Sequence, residues 1–323
     1  MEIYSRIAAL PAQRRVVAIG AFDGVHAGHR EVIGTAVETA RREGVTSTVL
    51  TFRRHPLAVV DPVHLPRLLT PLAAKVQLLA ELGPDELVLL DFDEHLAAMS
   101  PDDFATAILR DALGAETVVV GENFTYGHGG KGTPAMLAQA GARLGFKVIA
   151  VPLVLAGGKA ISSTRIRTLL QRGELEEVRA ILGRPPSAHG IVVPGHQRGR
   201  TLGFPTANIE VEAETIFPGR GVYAARALID GVWYRAAVNI GHNPTFQSRE
   251  ADTAVVHVEA FLLDFCADIY GQHIRVDFLH RIREERRFAG PEELIAQLHA
   301  DVAEAGTIDD PALDAVGLGH SGG

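Results

Sequence analysis

The segment Ala18-Ile-Gly-Ala-Phe-Asp-Gly-Val-His-Ala-Gly-His-Arg30 lies between two patterns that predict different secondary structures. Before it, the apolar run from Val16 to Ile19 predicts a buried strand. After it, Glu31–Glu43 has an apolar face with helical spacing, formed by Val32, Ile33, Ala36, Val37 and Ala40. We therefore predict a strand, a glycine-containing turn and a helix that begins near His29.

This turn has the features of an anion site. Gly20, Gly24 and Gly28 allow the backbone to bend tightly and to approach a ligand closely. The free N–H groups and the positive dipole end of the following helix favour an anion, most simply a phosphate. His26 and His29 would add two side-chain donors. Considered alone, however, H-x-G-H fits an ordinary turn with surface histidines equally well.

The composition of the whole chain narrows the class of protein. Its 323 residues suggest about two domains, and 47% apolar and 22% charged residues are typical of a globular protein. The net charge of −8, without a block of lysine or arginine, argues against nucleic acid or an anionic membrane as the main partner. The single cysteine, Cys266, excludes an internal disulfide and a cysteine-based zinc site. With no signal peptide and no membrane-spanning run, we expect a cytoplasmic protein.

The first half of the chain alternates predicted strands with predicted helices. Further strands are expected at Thr46–Phe52, Leu87–Leu90, Thr117–Val120 and Phe146–Val151. Helices are expected from the cap Thr70 to Leu82, from Ser100 to Gly114, over Pro134–Leu144 and after Ser162. Such alternation predicts a Rossmann-like α/β domain with a parallel sheet, in which ligands bind beyond the carboxyl ends of the strands.

The pattern changes at Leu182-Gly-Arg-Pro-Pro-Ser187, where glycine and proline predict a break between domains. We place residues 1–183 in the first domain and residues 184–323 in the second. The tail from about residue 307 is expected to be disordered.

Strands dominate beyond this boundary. They are expected at His189–Val193, Gly221–Ile229, Val232–Ile240, Thr253–Leu263 and Ile274–His280. Asp230-Gly231 predicts a type I′ hairpin turn, and a last helix is expected from Pro291 to about Glu304. Short strands with one terminal helix predict a small closed or nearly closed β-barrel.

Two further segments of the first domain carry polar groups suited to a nucleotide. Ile161–Arg167 places hydroxyls and two arginines at a helix N-terminus, which suits a polyphosphate and suits a solvated surface helix about equally. Val120–Gly132 contains a G-x-G-x-x-G match that does not open the first strand–helix unit and is followed by no acidic residue at the required distance. A nicotinamide dinucleotide is therefore rejected, whereas a loop closing over a nucleotide and a plain flexible loop both stay open.

The second domain has its own polar constellation. The segment Gly195–Asn208 is dense in glycines, arginines and oxygens that suit Mg²⁺, and Thr206 and Asn208 face the same way if it is extended. Glu259 lies in an otherwise apolar strand, where a carboxylate is either paired structurally or poised as a base. The segment Asn239–Phe246 is interpreted as a rigid turn with an architectural role.

Taken together, these motifs resemble the bifunctional bacterial riboflavin kinase/FAD synthetase family, from about residue 12 to about residue 304. The matching segments are Phe22–His29, Leu-Leu-Thr at Leu68, Gly121–Gly127, Ile161–Arg167, Gly199–Asn208, Asn239–Phe246 and Asp268–Gly271. Each is weakly specific, but their joint order across two domains is not. The chain departs from the family pattern at Ala21, where many members have Asn or Asp, and at Phe261, where many have His.

The resemblance implies two reactions. A C-terminal riboflavin kinase barrel would transfer the γ-phosphoryl group of ATP to riboflavin and give FMN. An N-terminal nucleotidyltransferase domain of the H-x-G-H superfamily would then transfer AMP from a second ATP to FMN, giving FAD and pyrophosphate. The implied partners are the small molecules riboflavin, FMN and ATP, with Mg²⁺ accompanying ATP. The oligomeric state is left open, with a transient homo-oligomer as one option.

The resemblance also assigns residues. Thr206 and Asn208 would hold Mg²⁺ and Glu259 would be the base of the kinase. Charge in the adenylyl transfer would be stabilised by His26, His29, Ser163, Thr164 and Arg167. The remaining predicted ATP or flavin contacts are Gly20, Phe22, Asp23, Gly24, Gly28, Asn123, Arg165, Gly195, Arg200, Gly203, Arg286 and Arg287.

Two rival hypotheses remain. A monofunctional riboflavin kinase with a degenerate first domain would require damage to H-x-G-H or to Ile161–Arg167, and both motifs are intact. A flavin-sensing protein without turnover is disfavoured by the presence of Glu259, Thr206 and Asn208.

Overall fold

The structure is a computed structural model that describes residues 1–195, 199, 202–212, 214–242 and 256–308. The predicted ligand Arg200, the second half of the predicted turn that begins at Asn239, and the predicted tail from residue 309 onward lie outside the described residues. The chain divides into two compact units, Met1–Ser163 and Thr164–Gly323.

The first unit is built on six parallel strands. These are β1 (Glu2–Tyr4), β2 (Arg15–Ile19), β3 (Thr46–Phe52), β4 (Glu86–Leu90), β5 (Ala115–Gly121) and β6 (Lys147–Val151). Their order in the sheet is β1-β4-β3-β2-β5-β6. A short antiparallel pair, β7 (Leu155–Ala156) and β8 (Lys159–Ala160), follows.

Helices connect these strands. They are α1 (Ala27–Glu43), α2 (Leu57–Val60), α3 (Leu72–Ala80), α4 (Glu94–Ala98), α5 (Pro101–Asp103, continued as a π-helix over Phe104–Ala112) and α6 (Pro134–Leu144). Consecutive residues of β2 belong to different apolar clusters, since Val17 packs in one and Val16 and Ala18 in the other. Both faces of the sheet are therefore covered, as expected for a parallel sheet, and the predicted Rossmann-like domain is confirmed.

The strand order determines where a ligand can bind. The chain runs from β2 through β3 and β4 on one side, then returns to β5 on the other side of β2. The connections after β2 and β5 thus diverge, which is the arrangement in which ligands bind beyond the carboxyl ends of the strands. The segment Gly20–His26 and the turn that follows Gly121 both begin at these carboxyl ends.

A buried ion pair lies at the opposite ends of the strands, where β2 and β4 begin. Arg15 and Glu86 are 1% and 3% exposed, and Arg15 Nε lies 2.7 Å from Glu86 Oε2. Thr48 Oγ1 also donates to this carboxylate, and the guanidinium donates to the carbonyl of Leu113. Because its charges and hydrogen bonds are satisfied internally, this end of the sheet has a structural role.

The second unit is a closed antiparallel barrel with helices. The helices are α7 (Ser163–Arg172), which begins at the last residue of the first unit, α8 (Leu175–Leu182) and α9 (Pro291–Thr307). The strands are β9 (Ser187–Val193), β10 (Ala207–Val211), β11 (Gly221–Ile229), β12 (Val232–His242), β13 (Val256–Leu262) and β14 (His273–Arg283). The barrel order is β10-β13-β12-β11-β14-β9, which confirms the predicted barrel. Positive φ angles of 47° at Asp230 and 82° at Gly231 confirm the type I′ turn.

The region between residues 164 and 182 associates with the barrel. Helix α8 packs against β14, and His280 Nδ1 lies 2.8 Å from Glu176 Oε1. The carbonyl of Leu170, in α7, accepts a hydrogen bond of 2.8 Å from the N–H of Gly219. The domain boundary predicted after Gly183 stays a prediction. It can be tested by asking whether the barrel folds without residues 164–183, which make these contacts.

Several local predictions differ from the structure. Helix α3 ends at Ala80 rather than Leu82, and Pro71 rather than Thr70 occupies its cap position. Thr70 precedes the cap position, its buried hydroxyl has no hydrogen-bond partner among the described residues, and its backbone N–H donates to the carboxylate of Asp23. The strand β1 and the helix α8 were not predicted.

Candidate active sites

The loop between β2 and α1 adopts a backbone that side chains normally avoid. Phe22 and Val25 have positive φ angles of 49° and 41°, and Gly24 lies between them at 89°. Each such non-glycine residue costs about 1–3 kcal/mol and persists only when its surroundings enforce it. Here the carboxylate of Asp23 accepts hydrogen bonds from the N–H groups of Leu69 (3.0 Å) and Thr70 (3.2 Å). Predicted contact residues of the loop therefore also hold its shape.

The three glycines of this loop have close neighbours. A Cβ atom at Gly20 would lie 2.7 Å from the ring of Phe22, and one at Gly24 would lie 2.8 Å from Leu69. At Gly28 it would lie 3.3 Å from the ring of His26. A side chain at either of the first two positions would force Phe22 or Leu69 to shift, and at Gly24 the positive φ of 89° favours glycine in addition.

The two histidines form the beginning of α1. His26 is the N-cap residue, and its Nδ1 accepts a hydrogen bond of 3.3 Å from the N–H of His29. The two rings stack with centroids 3.6 Å apart, and Phe22 contacts His29 edge-on. Because Nδ1 of His26 accepts this hydrogen bond, the proton of the neutral ring is on Nε2. The anion site at this helix terminus stays a prediction.

His29 is held in its neutral form. Burial is the main cause that keeps the pKa of His29 well below its usual range, and the positive charge of Lys75 acts in the same direction. Its Nδ1 is buried and has no hydrogen-bond partner among the described residues. At neutral pH, His29 therefore offers an uncharged imidazole to a ligand.

The turn after β5 contributes Asn123, which is exposed, with its Oδ1 close to Gly121. The glycine-rich loop that follows is closed by paired backbone hydrogen bonds between Tyr126 and Gly132. A Cβ atom at Gly127 would collide with Pro101, and one at Gly132 with the ring of Tyr126. These glycines therefore have packing roles, which the sequence pattern alone did not distinguish from nucleotide binding.

The segment Ile161–Arg167 spans the division between the two units. Ser163 Oγ donates a 3.0 Å hydrogen bond to the carbonyl of Asp23 and so lies beside the His26–His29 loop within the first unit. Thr164 is exposed, and Arg167 is half-buried in the second unit. Arg165 forms an ion pair with Glu177 of α8.

The barrel aligns three polar residues. Asn208 on β10 is opposite Glu259 on β13, and Glu259 is in turn opposite Asn239 on β12. Directly opposite residues of antiparallel strands have Cα atoms about 4.5–5.5 Å apart and side chains on one face. Val258 and Ala260, the sequence neighbours of Glu259, are buried. We refer to Asn208, Glu259 and Asn239 as the polar row.

A cavity of about 320 Å³ adjoins the polar row. Glu259, Asn239 and Thr206 line it together with residues of β11, β14 and α9. Its apolar lining is formed mainly by Leu202, Phe204, Val222, Phe261, Phe288, Leu294 and Leu298. A largely apolar cleft of this size with a few convergent polar groups suits an organic ring system carrying a polar tail.

Two glycines shape the approach to the polar row. A Cβ atom at Gly195 would overlap the side-chain amide of Asn208, so the amide packs directly on the backbone there. Gly203 has a positive φ of 83° and leads into the segment that ends at Thr206. The predicted metal ligands are Thr206, which directly precedes β10, and Asn208, the second residue of that strand. Only Thr206 lines the cavity.

Two arginines, Arg283 and Arg286, and two carboxylates, Glu285 and Asp301, also line the cavity. Arg283 is bound to the buried carboxylate of Asp301 on α9, with Nη2 2.7 Å from Oδ2. Arg286 also lines the cavity and packs over the ring of Phe288. Arg287 is exposed and does not line it.

Sequence analysis missed two residues of these sites. Asn239 was assigned to an architectural turn, but it lies within β12 and faces the cavity beside Glu259. Its alternation with the apolar residues Val238 and Ile240 was the available signal. Lys75 was not considered, although it is the one charged residue within Leu72–Ala80.

Comparisons with known proteins agree with this division of sites. The family model described as FAD synthetase matches residues 10–165, and the model described as riboflavin kinase matches residues 182–308. The bifunctional riboflavin kinase/FMN adenylyltransferase of Bacillus subtilis (strain 168) is 40% identical over 298 residues, covering 90% of this chain and 92% of that protein. The protein of the same description from Escherichia coli (strain K12) is 36% identical over 292 residues, covering 90% and 91%.

A solved structure shares the fold over nearly the full length. It is named "Crystal Structure of Macrolide-efflux Protein from Streptococcus pneumoniae", has a TM-score of 0.85 and 33% identity, and the match covers 95% of this chain and 99% of that one. No helix in the described part of our chain is long and apolar enough to cross a membrane. The sequence identity and the two matched family models together show that this chain belongs to the family of bifunctional riboflavin kinase/FMN adenylyltransferases.

Proposed function

We propose that one chain makes FAD from riboflavin in two steps, with the phosphorylation in the domain that contains the β-barrel and the adenylylation in the domain that contains the parallel sheet. The observation that carries this proposal is the presence of two unlike sites in two separate compact units, a helix N-terminus with two histidines and a strand-borne carboxylate beside an apolar cavity. Both steps use ATP and small flavin molecules, and we propose the cytoplasm as their compartment.

In the kinase step, the apolar part of the cavity would hold the isoalloxazine ring of riboflavin, and the polar row would meet its ribityl chain. Glu259 would accept the proton of the 5′-hydroxyl as that oxygen attacks the γ-phosphorus of ATP. No covalent enzyme intermediate is needed, because phosphoryl transfer depends mainly on positioning and charge neutralisation.

The donor set of Thr206 and Asn208 fits Mg²⁺ that arrives with ATP. Both side chains offer neutral oxygens, and Mg²⁺ prefers oxygen ligands while taking much of its anionic coordination from substrate phosphates. The ion would neutralise phosphate charge when it is bound. Thr206 and Asn208 would orient the phosphates towards Glu259, and Arg286, which lines the cavity, and Arg287 would contact the flavin phosphate after transfer.

In the adenylylation step, the nucleophile is the phosphate of FMN, which is already an anion and needs no general base. The site must instead stabilise charge that builds on the α-phosphate and on the departing pyrophosphate. Because His29 is neutral, it would act as a hydrogen-bond donor, and the N-terminus of α1 would supply the fixed positive potential.

The remaining assignments for this step follow from the family. Ser163 is supported by its hydrogen bond to the loop that carries the histidines. Thr164, Arg167 and Asn123 are proposed as nucleotide or flavin contacts. Arg165 is proposed as a further contact, and it also pairs with Glu177.

Incubation of the full chain with riboflavin, Mg²⁺ and ATP, followed by chromatographic separation of the flavins, tests this proposal. We expect FMN to appear first and FAD to follow, and neither to form when the metal is chelated. FMN without FAD would support the monofunctional kinase, and the absence of both products would support a flavin-binding protein without turnover.

A further inference from the structure

The helix α3 carries a lysine whose position has no explanation in the reactions described so far. Lys75 is only 8% exposed, and its Nζ donates hydrogen bonds to the carbonyls of Phe52 (2.8 Å) and Ala21 (3.4 Å). Phe52 is the last residue of β3, and Ala21 follows β2 by two residues. The ammonium group therefore joins the carboxyl ends of two neighbouring strands.

This contact lies at the start of the strained loop. The carbonyl of Ala21 accepts hydrogen bonds from Lys75 and also from Thr51 Oγ1 (3.0 Å), and the next residue is Phe22, with its positive φ. Asp23, one residue further, is held by backbone N–H groups of the segment that leads into α3. The first turn of α3 and its preceding segment thus enforce the loop conformation from one side.

We propose that Lys75 is a positioning residue of the adenylyltransferase site, which fixes the loop bearing His26 and His29 by tying together the ends of β2 and β3. This inference rests on the proposed role of His29 in the formation of FAD. Lys75 contacts backbone carbonyls, so it acts on the reaction through the loop.

The electrostatics of the site agree with this role. Burial lowers the pKa of Lys75 to about 8, while the carboxylate of Asp23 acts in the opposite direction. At neutral pH the lysine is therefore still charged, and its charge contributes to lowering the pKa of His29. Removing the lysine charge should consequently raise the pKa of His29, a change that a purely steric role would not produce.

Two substitutions separate the charge from the hydrogen bonds. Lys75→Met keeps most of the side-chain volume but removes the charge and both hydrogen bonds. Thr51→Val removes the other donor to Ala21 without changing any charge. Lys147→Met is the matched control, because Lys147 is an exposed lysine of the same unit.

The experiment measures three quantities in the full chain. The pKa of His29 is obtained from the NMR titration of its Cε1 proton, assigned by its loss in His29→Ala. The rate of FAD formation from FMN reports the first unit, and the rate of FMN formation from riboflavin, in the same preparation, reports correct folding of the second.

For Lys75→Met we expect a raised His29 pKa, a decrease in FAD formation of about tenfold to a hundredfold as for a misplaced reacting group, and unchanged FMN formation. Any inflection in the pH profile of FAD formation that depends on His29 should move to higher pH with it. Thr51→Val should slow FAD formation without moving the pKa, and Lys147→Met should change neither.

An unchanged His29 pKa together with an unchanged FAD rate in Lys75→Met would overturn the proposal, and so would an equal loss of both activities. If Lys75→Met is too unstable to measure, a Thr51→Val protein with parental FAD formation overturns the positioning of the loop through Ala21. A raised pKa with parental FAD formation also overturns it. If His29→Ala also forms FAD at the parental rate, the proposed role of His29 in FAD formation is wrong, rather than the contact of Lys75 with Ala21.

Discussion

The two candidate sites are positioned by different means. In the first unit, the functional groups lie on a loop and at a helix N-terminus, and two non-glycine residues with positive φ define their placement. In the second unit, the polar row lies on three barrel strands, where hydrogen-bond register alone places Asn208, Glu259 and Asn239 side by side. Loop strain needs support from elsewhere in the fold, whereas register is fixed along the whole length of a strand.

This difference predicts how each site responds to change. The barrel site should tolerate changes in distant helices as long as the barrel closes, because a slip of one residue would move every side chain of the strand to the other face. The loop site should be sensitive to residues that never contact substrate, such as Lys75.

The largest effect is expected when α7 and α8 are removed from the barrel. A fragment comprising residues 164–308 should fold and phosphorylate riboflavin, whereas one comprising residues 184–308 should not. The shorter fragment loses α8, whose side chains Leu175, Val178 and Ile181 are at most 1% exposed. Burying each contributes about 1.5–3 kcal/mol, so their loss is comparable to the whole stability of a domain, about 5–15 kcal/mol.

Circular dichroism melting curves and the kinase assay check this expectation. Equal stability and activity of the two fragments would show that α7 and α8 are dispensable for the barrel. In that case, the boundary predicted after Gly183 is the correct one.

Within the polar row, Glu259→Gln should have the strongest effect on activity. It preserves shape but removes basicity, and loss of a general base costs about 10²–10⁴-fold in rate. FMN formation should fall by this factor, whereas supplied FMN should still be converted to FAD at the parental rate. Initial rates of both reactions on one preparation give the result.

Glu285 offers a matched control for this substitution, because it is a second carboxylate that lines the same cavity without belonging to the polar row. Glu285→Gln should reduce FMN formation far less than Glu259→Gln. Equal losses would mean that the general charge of the cavity, rather than a base at Glu259, assists the reaction. A joint collapse of both activities with a lower melting temperature would make Glu259 structural.

In the first unit, His29→Ala should produce the converse result. Loss of one preorganised donor of this kind costs about 10²–10³-fold, so FAD formation should fall by that factor while FMN formation is spared. Coupled measurement of pyrophosphate release and of FMN production distinguishes the two steps. A similar loss in both would indicate misfolding or a shared site.

Asn239→Ala should have the smallest effect of the substitutions at the predicted sites. A single side-chain hydrogen bond contributes about 0.5–1.5 kcal/mol, which corresponds to a loss in FMN formation of about tenfold or less. Riboflavin saturation curves should show whether the loss is in binding or in turnover. FMN formation at the parental rate would leave Asn239 without a role in the polar row.

Much of the fold and part of the candidate sites could be predicted from the sequence. The alternation of β2, α1 and β3 indicated the parallel sheet, and Asp230-Gly231 indicated the hairpin within the barrel, because both depend on local patterns. Glu259 was noticed because a carboxylate in an apolar strand is unusual. Asn239 was missed, because its importance comes from register with β13, which is a non-local property.

The conformation of the loop was also beyond local prediction. Positive φ at Phe22 and Val25 contradicts the ordinary preferences of both residues and exists because residues around α3 enforce it. The segment before α3 also depends on a distant residue, because the N–H of Thr70 donates to the carboxylate of Asp23. Helix α8 was missed because it lies next to the glycine and proline cluster that was interpreted as a linker.

The central claim, that two independent sites in one chain act in sequence through a released FMN, is tested most directly by mixing two variants. Glu259→Gln and His29→Ala are incubated with riboflavin, Mg²⁺ and ATP, separately and together, and FAD is quantified. Each variant alone should form little FAD, and the mixture should form it readily, because FMN made by His29→Ala is adenylylated by Glu259→Gln. A mixture that forms no more FAD than the variants alone, although each retains its other activity, would contradict the account.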